Sequence, residues 1–163
     1  MARIDDLVGE FLDLKNIAVV GVSDRRDTGC NSIYRKLKAS GHKAFAVNPR
    51  IHTFEGDPCY PDLRSLPEKV DGVFVLANPT VTESIVDQCA ALGVRHVWMH
   101  CMLGTRPGLG GSMSSVSPAA LKKAAESGIT VIPGSCPNQF LEPDGGHAFM
   151  QRLWRFLGFL KVA

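Results

Sequence analysis

The chain has 163 residues, 45% of them hydrophobic and 21% charged, with a net charge of +2; that predicts one domain with a sizeable core and excludes a disordered chain. So small a charge, with no Lys/Arg run, argues against nucleic-acid or anionic-membrane partners. No stretch approaches the roughly 18 apolar residues of a membrane span, and Met1 to Glu10 lacks the apolar run of a secretory signal. Five scattered cysteines (Cys30, Cys59, Cys89, Cys101, Cys136), odd in number and without a C-x-x-C pair, predict a reduced, cytoplasmic protein.

Asp5 to Leu14 reads as a short amphipathic helix with Leu7, Val8, Phe11, Leu12 and Leu14 on its apolar side. A buried strand over 16–22 runs straight into a glycine turn, and a helix follows from near Cys30, covering Asn31 to Lys38 and closed by Gly41. Lys43 to Val47 is the second strand, stopped by Asn48-Pro49. Phe54 to Tyr60 is extended, and Pro61-Asp62-Leu63 opens a helical turn to Leu66. Gly72 to Leu76, a continuous apolar run, is the third strand, stopped by Asn78-Pro79.

Thr80 to Leu92 carries Val81, Ile85, Val86, Cys89 and Leu92 at helical spacing and ends at Gly93; Val94 to Met99 is the next strand. Leu103 to Ser117, rich in Gly, Ser and Pro, reads as a long mobile loop. A helix from Ser117-Pro118 to Ser127 and a strand from Ile129 to Ile132 follow, then an irregular loop from Pro133 to Gly146. The terminal helix, Ala148 to Leu160, is expected to turn Phe149, Leu153, Phe156, Leu157 and Leu160 inward, leaving Trp154 and Phe159 partly exposed for a dimer contact.

Continuous apolar strands alternating with helices predict an α/β, Rossmann-like, doubly wound parallel sheet of about five strands with helices on both faces. The expected order is 3-2-1-4-5, with a ligand crevice at the strand carboxyl ends beside the first strand.

A strand, a Gly/Ser loop and a helix form a phosphate-cradling corner. Here Gly21, Val22, Ser23 and Asp24, with Thr28 and Gly29, can offer backbone N–H groups and hydroxyls, and the helix start at Cys30-Asn31-Ser32 adds its positive end. Arg25 and Arg26 sit in the same loop. The dinucleotide fingerprint G-x-G-x-x-G is absent, because Ser23 holds the second glycine position and the next glycine is Gly29. Nor does an acidic residue follow the second strand to hold a ribose 2′-hydroxyl; Val47-Asn48-Pro49-Arg50 stands there instead. Asn48 can bond a ribose or an adenine edge, Pro49 can pack on a base, and Arg50 suits a phosphate on the ribose. An NADP site can use the same arginine. At the next strand end, Leu76, Ala77 and Asn78 open on the same crevice, and Asn78 also suits a helix cap with Pro79 at the first helical position.

The segments Gly21-Val22-Ser23, Gly41 to Pro49, Gly56 to Tyr60, Leu66 to Asp71 and Val97-Trp98-Met99-His100 together resemble the coenzyme A-binding domain family. Its members are stand-alone Rossmann-like proteins similar to the amino-terminal domain of the succinyl-CoA synthetase alpha subunit. The resemblance implies coenzyme A, or an acyl-CoA, as ligand. The diphosphate would lie at Gly21–Asp24, with Arg25 and Ser32 beside it, and adenosine at Val47–Arg50 and Leu76–Asn78. The pantetheine arm would run towards Met99, His100, Cys101 and Met102. The synthetase's phosphorylated histidine belongs to its other domain, so the resemblance implies a carrier, a sensor or a partner subunit (a homodimer or part of an enzyme) rather than a self-sufficient catalyst. The alternatives are an NADP-linked oxidoreductase and a small CoA-thiol enzyme using Cys101 or Cys136, with His100 as a neighbouring base. Cys101, Cys136 and His147 have no zinc-ligand spacing, so no metal site is predicted.

Overall fold

The computed structural model describes residues 3–105, 114–160 and 162. The strands are β1 (Asn16–Val20), β2 (Lys43–Val47), β3 (Thr53–Phe54), β4 (Asp57–Tyr60), β5 (Gly72–Val75), β6 (His96–Met99) and β7 (Thr130–Pro133). The helices are α1 (Ile4–Leu12), α2 (Gly29–Ala39), α3 (Pro79–Leu92), α4 (Pro118–Glu126) and α5 (Gly145–Phe156). One sheet runs β3-β4-β2-β1-β5-β6-β7, parallel throughout except for the β3/β4 hairpin at its edge.

The α/β class with a parallel sheet agrees with the sequence reading, but the strand order does not. The strand ending near Leu76 was expected outside β2; instead β5 pairs with β1, Ile17 opposite Gly72 and Val20 opposite Val75. The place outside β2 is taken by β4, with Ala46 opposite Cys59 and Val47 opposite Tyr60. The extended stretch after Pro49 is thus a strand in its own right. It folds back on β3 through Glu55 and Gly56, both at positive φ (50° and 87°).

Each central strand alternates its side chains between two cores. Ile17, Val19, Phe74, Trp98 and Ile132 pack with α1, α2 and Trp154 of α5. Ala18, Val20, Val73, Val75, Val97 and Met99 pack with α3 and α4. Coverage on both faces is why these strands read as unbroken apolar runs.

The terminal helix begins earlier than expected, because Asp144 caps it: its side chain accepts from His147 N at 2.9 Å. Its buried face is also not the expected one. Phe149 and Phe156 are 65% and 87% exposed and Leu157 is exposed, whereas Trp154 is 9% exposed. Trp154 Nε1 donates to Met102 O at 3.1 Å, and the indole stacks on Phe159 with ring centroids 5.1 Å apart. An aromatic ring with a donor finds a burial site where a carbonyl needs a partner, and a periodicity count does not register that.

The ends of β6 and β7 are knitted together. Trp98 Nε1 donates to Gly134 O at 2.9 Å. Cys101 N donates to Ser135 O, Ser135 N to Gly104 O, and Thr105 N to Phe159 O at 2.7 Å. The first and last parts of the predicted 103–117 loop are therefore held against the body; its centre, 106–113, lies outside the described residues. No described helix is long and apolar enough to cross a membrane.

Candidate functional site

Gly21 closes β1 at a φ of +111°, and a Cβ there would stand 2.1 Å from Leu76 O. Only glycine lets the β1 and β5 ends approach this closely. Gly21 N donates to Val47 O and Leu76 N to Val20 O, both at 3.0 Å, so the three strand ends share one ledge.

The loop above the ledge is organised by Asn31, which is 3% exposed. Its Oδ1 accepts from Ser23 N at 2.9 Å and Thr28 Oγ1 at 3.1 Å, and its Nδ2 donates to Ser23 O at 2.8 Å and Arg26 O at 3.2 Å. The sequence reading offered the Ser23 N–H to a phosphate; in the structure Asn31 takes it. Thr28 caps α2, its side chain accepting from Asn31 N and its carbonyl from Ser32 N. Gly29 and Cys30 therefore hold first-turn N–H groups that precede any intrahelical acceptor, which makes this the end of α2 that favours an anion. Arg35 fixes the loop's outer side, binding Asp27 through two nitrogens (2.9 and 3.1 Å) and Glu55 through Nε at 2.8 Å. The guanidinium holds the Asp27 carboxyl below the usual carboxylate range.

Asn48 was expected to bond a ribose or a base. Instead its Nδ2 donates to Val22 O at 2.7 Å and its Oδ1 accepts from Arg50 N at 2.8 Å, tying the β2 end to the glycine corner. Val22 and Val47 are buried in the two cores, so only their backbones face the ledge. Pro49 and Arg50 are exposed. Arg25, Arg50, Ser23, Asp24 and Asn48 bound a small recess of about 120 Å³. Asn78 caps α3 as expected, accepting from Val81 N at 2.9 Å with Pro79 following.

Two larger cavities meet at the centre of the crevice. The first, about 450 Å³, is bounded by Gly21, Ser23, Arg26, Ala77, Asn78 and Ser115. The second, about 630 Å³, lies between the start of α2, the 136–139 segment and the start of α5, and includes Ser32, Cys136, Asn138 and Gln139. Thr28, Leu76, His100 and Met102 belong to both, so the two form one bent groove. The structure thus brings Gly21, Ser23, Leu76, Ala77, Asn78 and His100 to one cavity and adds Ser32 on the other side of their junction. Met99 and Cys101 were expected on the pantetheine path but line neither. Met99 is fully buried among the α3 and α4 contacts, and Cys101 is 2% exposed beneath the β7 loop.

His100 sits at the junction with its ring edge-on to Phe74, centroids 6.2 Å apart. Burial lowers its pKa to about 4, so it is neutral at pH 7. Burial pushes the Cys136 thiol up to about 11, opposite to what a nucleophilic cysteine requires. Cys136 is therefore a protonated wall of the groove. Among the described residues no group of three His, Cys, Asp or Glu stands close enough to hold a metal ion.

Sequence reasoning missed three contributors. Ser115, in the glycine-rich loop, donates from N to His100 O at 2.8 Å and accepts from Ala77 N through Oγ at 3.0 Å. Asn138 and Gln139 belong to the Pro133–Gly146 loop and form a one-turn helix at Pro137–Gln139. The available signal was a proline followed by two amides four residues after a strand end.

The family model described as the CoA binding domain matches residues 15–139. The chain belongs to this family. A curated relative, acetate–CoA ligase [ADP-forming] I of Archaeoglobus fulgidus, is 31% identical over 75 residues, which are 46% of this chain and 11% of that protein. The chain thus spans about a tenth of that relative's length. Among solved structures, a hypothetical protein from Pyrococcus horikoshii OT3 superposes with a TM-score of 0.72 at 26% identity, covering 86% of this chain and 93% of that one. The apo form of a dinucleotide-forming acetyl-coenzyme A synthetase 1 from Ca. Korarchaeum cryptofilum shares the fold at 22% identity and a TM-score of 0.59, covering 76% of this CoA-binding-domain chain and 27% of that enzyme.

Proposed function

We propose that this CoA-binding-domain protein binds coenzyme A or an acyl-CoA along the bent groove, and acts as a carrier, a sensor or a partner subunit. The observation that carries the reading is the Gly21 corner: a glycine pressed on the Leu76 carbonyl beneath the start of α2, with Arg26 on the cavity wall. An anion on that ledge meets the Gly29 and Cys30 N–H groups and the helix's positive end. The diphosphate is assigned there, beside Ser23, Asp24 and Arg25. Arg50, at the recess it shares with Arg25, is assigned the ribose phosphate. The adenosine lies along Val47–Arg50 and the Leu76–Asn78 edge, and the pantetheine arm passes His100 and Met102 to the junction.

The relatives whose names include CoA ligation are far longer than this chain, and the groove's own thiol is protonated, so binding without self-sufficient catalysis is the reading the site supports. Calorimetric titration with CoA, dephospho-CoA and NADP tests it, on protein first stripped of bound nucleotide. Micromolar affinity for CoA, near −8 kcal/mol on the scale where about 1.4 kcal/mol is tenfold, with loss on removing the 3′-phosphate, supports the ligand and the role of Arg50. NADP binding without CoA binding would replace the reading with the nicotinamide alternative.

A further inference from the structure

The outer face of α5 is apolar and uncovered. Six large hydrophobic side chains are exposed among the described residues, and three of them, Phe149, Phe156 and Leu157, belong to this helix and its carboxyl cap. The exposed apolar surface is therefore gathered on one element rather than scattered. Phe149 and Phe156 stand seven residues apart, two helical turns, with half-buried Leu153 between them on the same side. Single exposed apolar residues need no explanation, but a continuous stripe marks a contact surface. The groove makes no use of it, since α5 lends the groove Gly146, His147 and Met150 instead. Nor does the dimer contact expected at Trp154 and Phe159 occupy it, because Trp154 is buried on the inner side and stacks on Phe159.

Charge of both signs borders the stripe. Arg152 is exposed between the two phenylalanines and has no ion pair among the described residues. Helix α1 lies alongside, joined to α5 by Arg155, whose guanidinium binds both carboxylate oxygens of Asp5. The outer side of α1 carries Asp6, Glu10 and Asp13, spaced by four and three residues and therefore on one face. All three are exposed, and none has an ion pair among the described residues. Between them is Gly9, where an added Cβ would meet nothing within 4 Å, so the backbone there is open to close approach.

We propose that a second copy of this chain covers the face, α5 lying antiparallel against α5 about a two-fold axis at Arg152–Leu153. The stripe is complementary to itself under that rotation: Phe149 of one copy meets Phe156 of the other, and the reverse. The two Arg152 side chains then approach near the axis, and the unpaired carboxylates of the α1 helices supply the negative charge that offsets them. A partner surface needs an apolar strip for the two rings and carboxylates for the arginine, and this molecule presents both side by side. The inference goes beyond the CoA reading and does not depend on it.

The test is sedimentation equilibrium of the full chain without nucleotide, from about 1 to about 100 μM, the range in which a dissociation constant of roughly 10 μM is read directly. The expected species at the upper end has twice the chain mass. Phe156→Ser should raise the dissociation constant at least roughly tenfold, because the symmetry places the change at two contacts. Its circular dichroism should stay native, since the side chain is exposed in the single chain. Arg152→Glu should weaken the dimer in the same way, and adding Asp6→Arg with Glu10→Arg should restore it. A monomer throughout the range overturns the assignment and leaves the face to a different partner. A dimer unaffected by Phe156→Ser overturns the choice of face. Failure of the charge exchange to restore association overturns the placement of the axis.

Discussion

His100 gives the groove a measurable pH signature. Its pKa in the folded state is about 4, depressed by burial from the ordinary 6.5. A histidine held neutral in this way contributes stability that is complete above the unfolded pKa. That contribution is lost as the pH falls towards the folded value, because over that interval the unfolded chain binds the proton and the folded one does not. Integrating between the two values gives a loss of about 2 kcal/mol at pH 5 and about 3 kcal/mol at pH 4. Asp5, Asp27, Asp57, Asp62 and Asp144 are all held below their ordinary 3.8 by hydrogen bonds or ion pairs, so their contributions begin to fade only below about pH 5. The interval from pH 6.5 to 5 therefore isolates histidine. Urea unfolding of the wild type and His100→Gln at half-unit steps across that interval reads it directly. The wild type should lose roughly 2 kcal/mol more than the variant between pH 7 and pH 5. Parallel stability curves for the two proteins would refute both the burial of the neutral ring and the low-dielectric character of the junction.

Gly21→Ala should destabilise the fold by roughly 3 kcal/mol, since it combines a φ of +111° with a Cβ 2.1 Å from Leu76 O; a thermal midpoint unchanged from wild type would contradict the ledge geometry. Asn31→Ala strips four hydrogen bonds from a buried side chain and should cost about 2–3 kcal/mol in denaturant unfolding. It should also loosen the 23–28 loop, seen as faster amide exchange at Ser23. Cys136 should resist iodoacetamide at pH 7 in the folded protein, because its thiol titrates only near 11; rapid alkylation blocked by CoA would revive a thiol enzyme. Gln139→Met should raise unfolding stability by about 1 kcal/mol by removing a partnerless buried acceptor, and a loss of several kcal/mol would show that the amide is satisfied after all.

What could be seen in the sequence followed the strength of local signals. The Ile17–Val20 run, the Gly21 turn and the Asn78-Pro79 cap each depend on nearest neighbours, and each stands where it was expected. The strand order did not follow, because whether β5 or β4 lies beside a given strand is a matter of crossovers that periodicity does not encode. The terminal helix failed for a related reason: Phe149 and Phe156 make the more regular stripe, yet Trp154 is buried because its indole nitrogen meets the Met102 carbonyl. Asn48 stands beside the glycine corner with its amide already bonded to two backbone groups, local bonds that a reading of residue types does not register.

The distribution of charge along the groove bears on what it can hold. The groove carries Arg25, Arg26 and Arg50 on exposed loops at the end beside Gly21. Its far end has a neutral imidazole, a protonated thiol, two amides and a hydroxyl, with carboxylates at its edge. A ligand matched to both ends is anionic at one extremity and uncharged at the other. A free dinucleotide, whose phosphates lie at its middle, meets this gradient less well than a molecule that places its phosphates on the ledge and sends a neutral arm past His100. The short-range electrostatics therefore favour the same ligand class as the missing acidic residue after β2. They do so in part from Cys136, Asn138 and Gln139, which take no part in the glycine-corner motif.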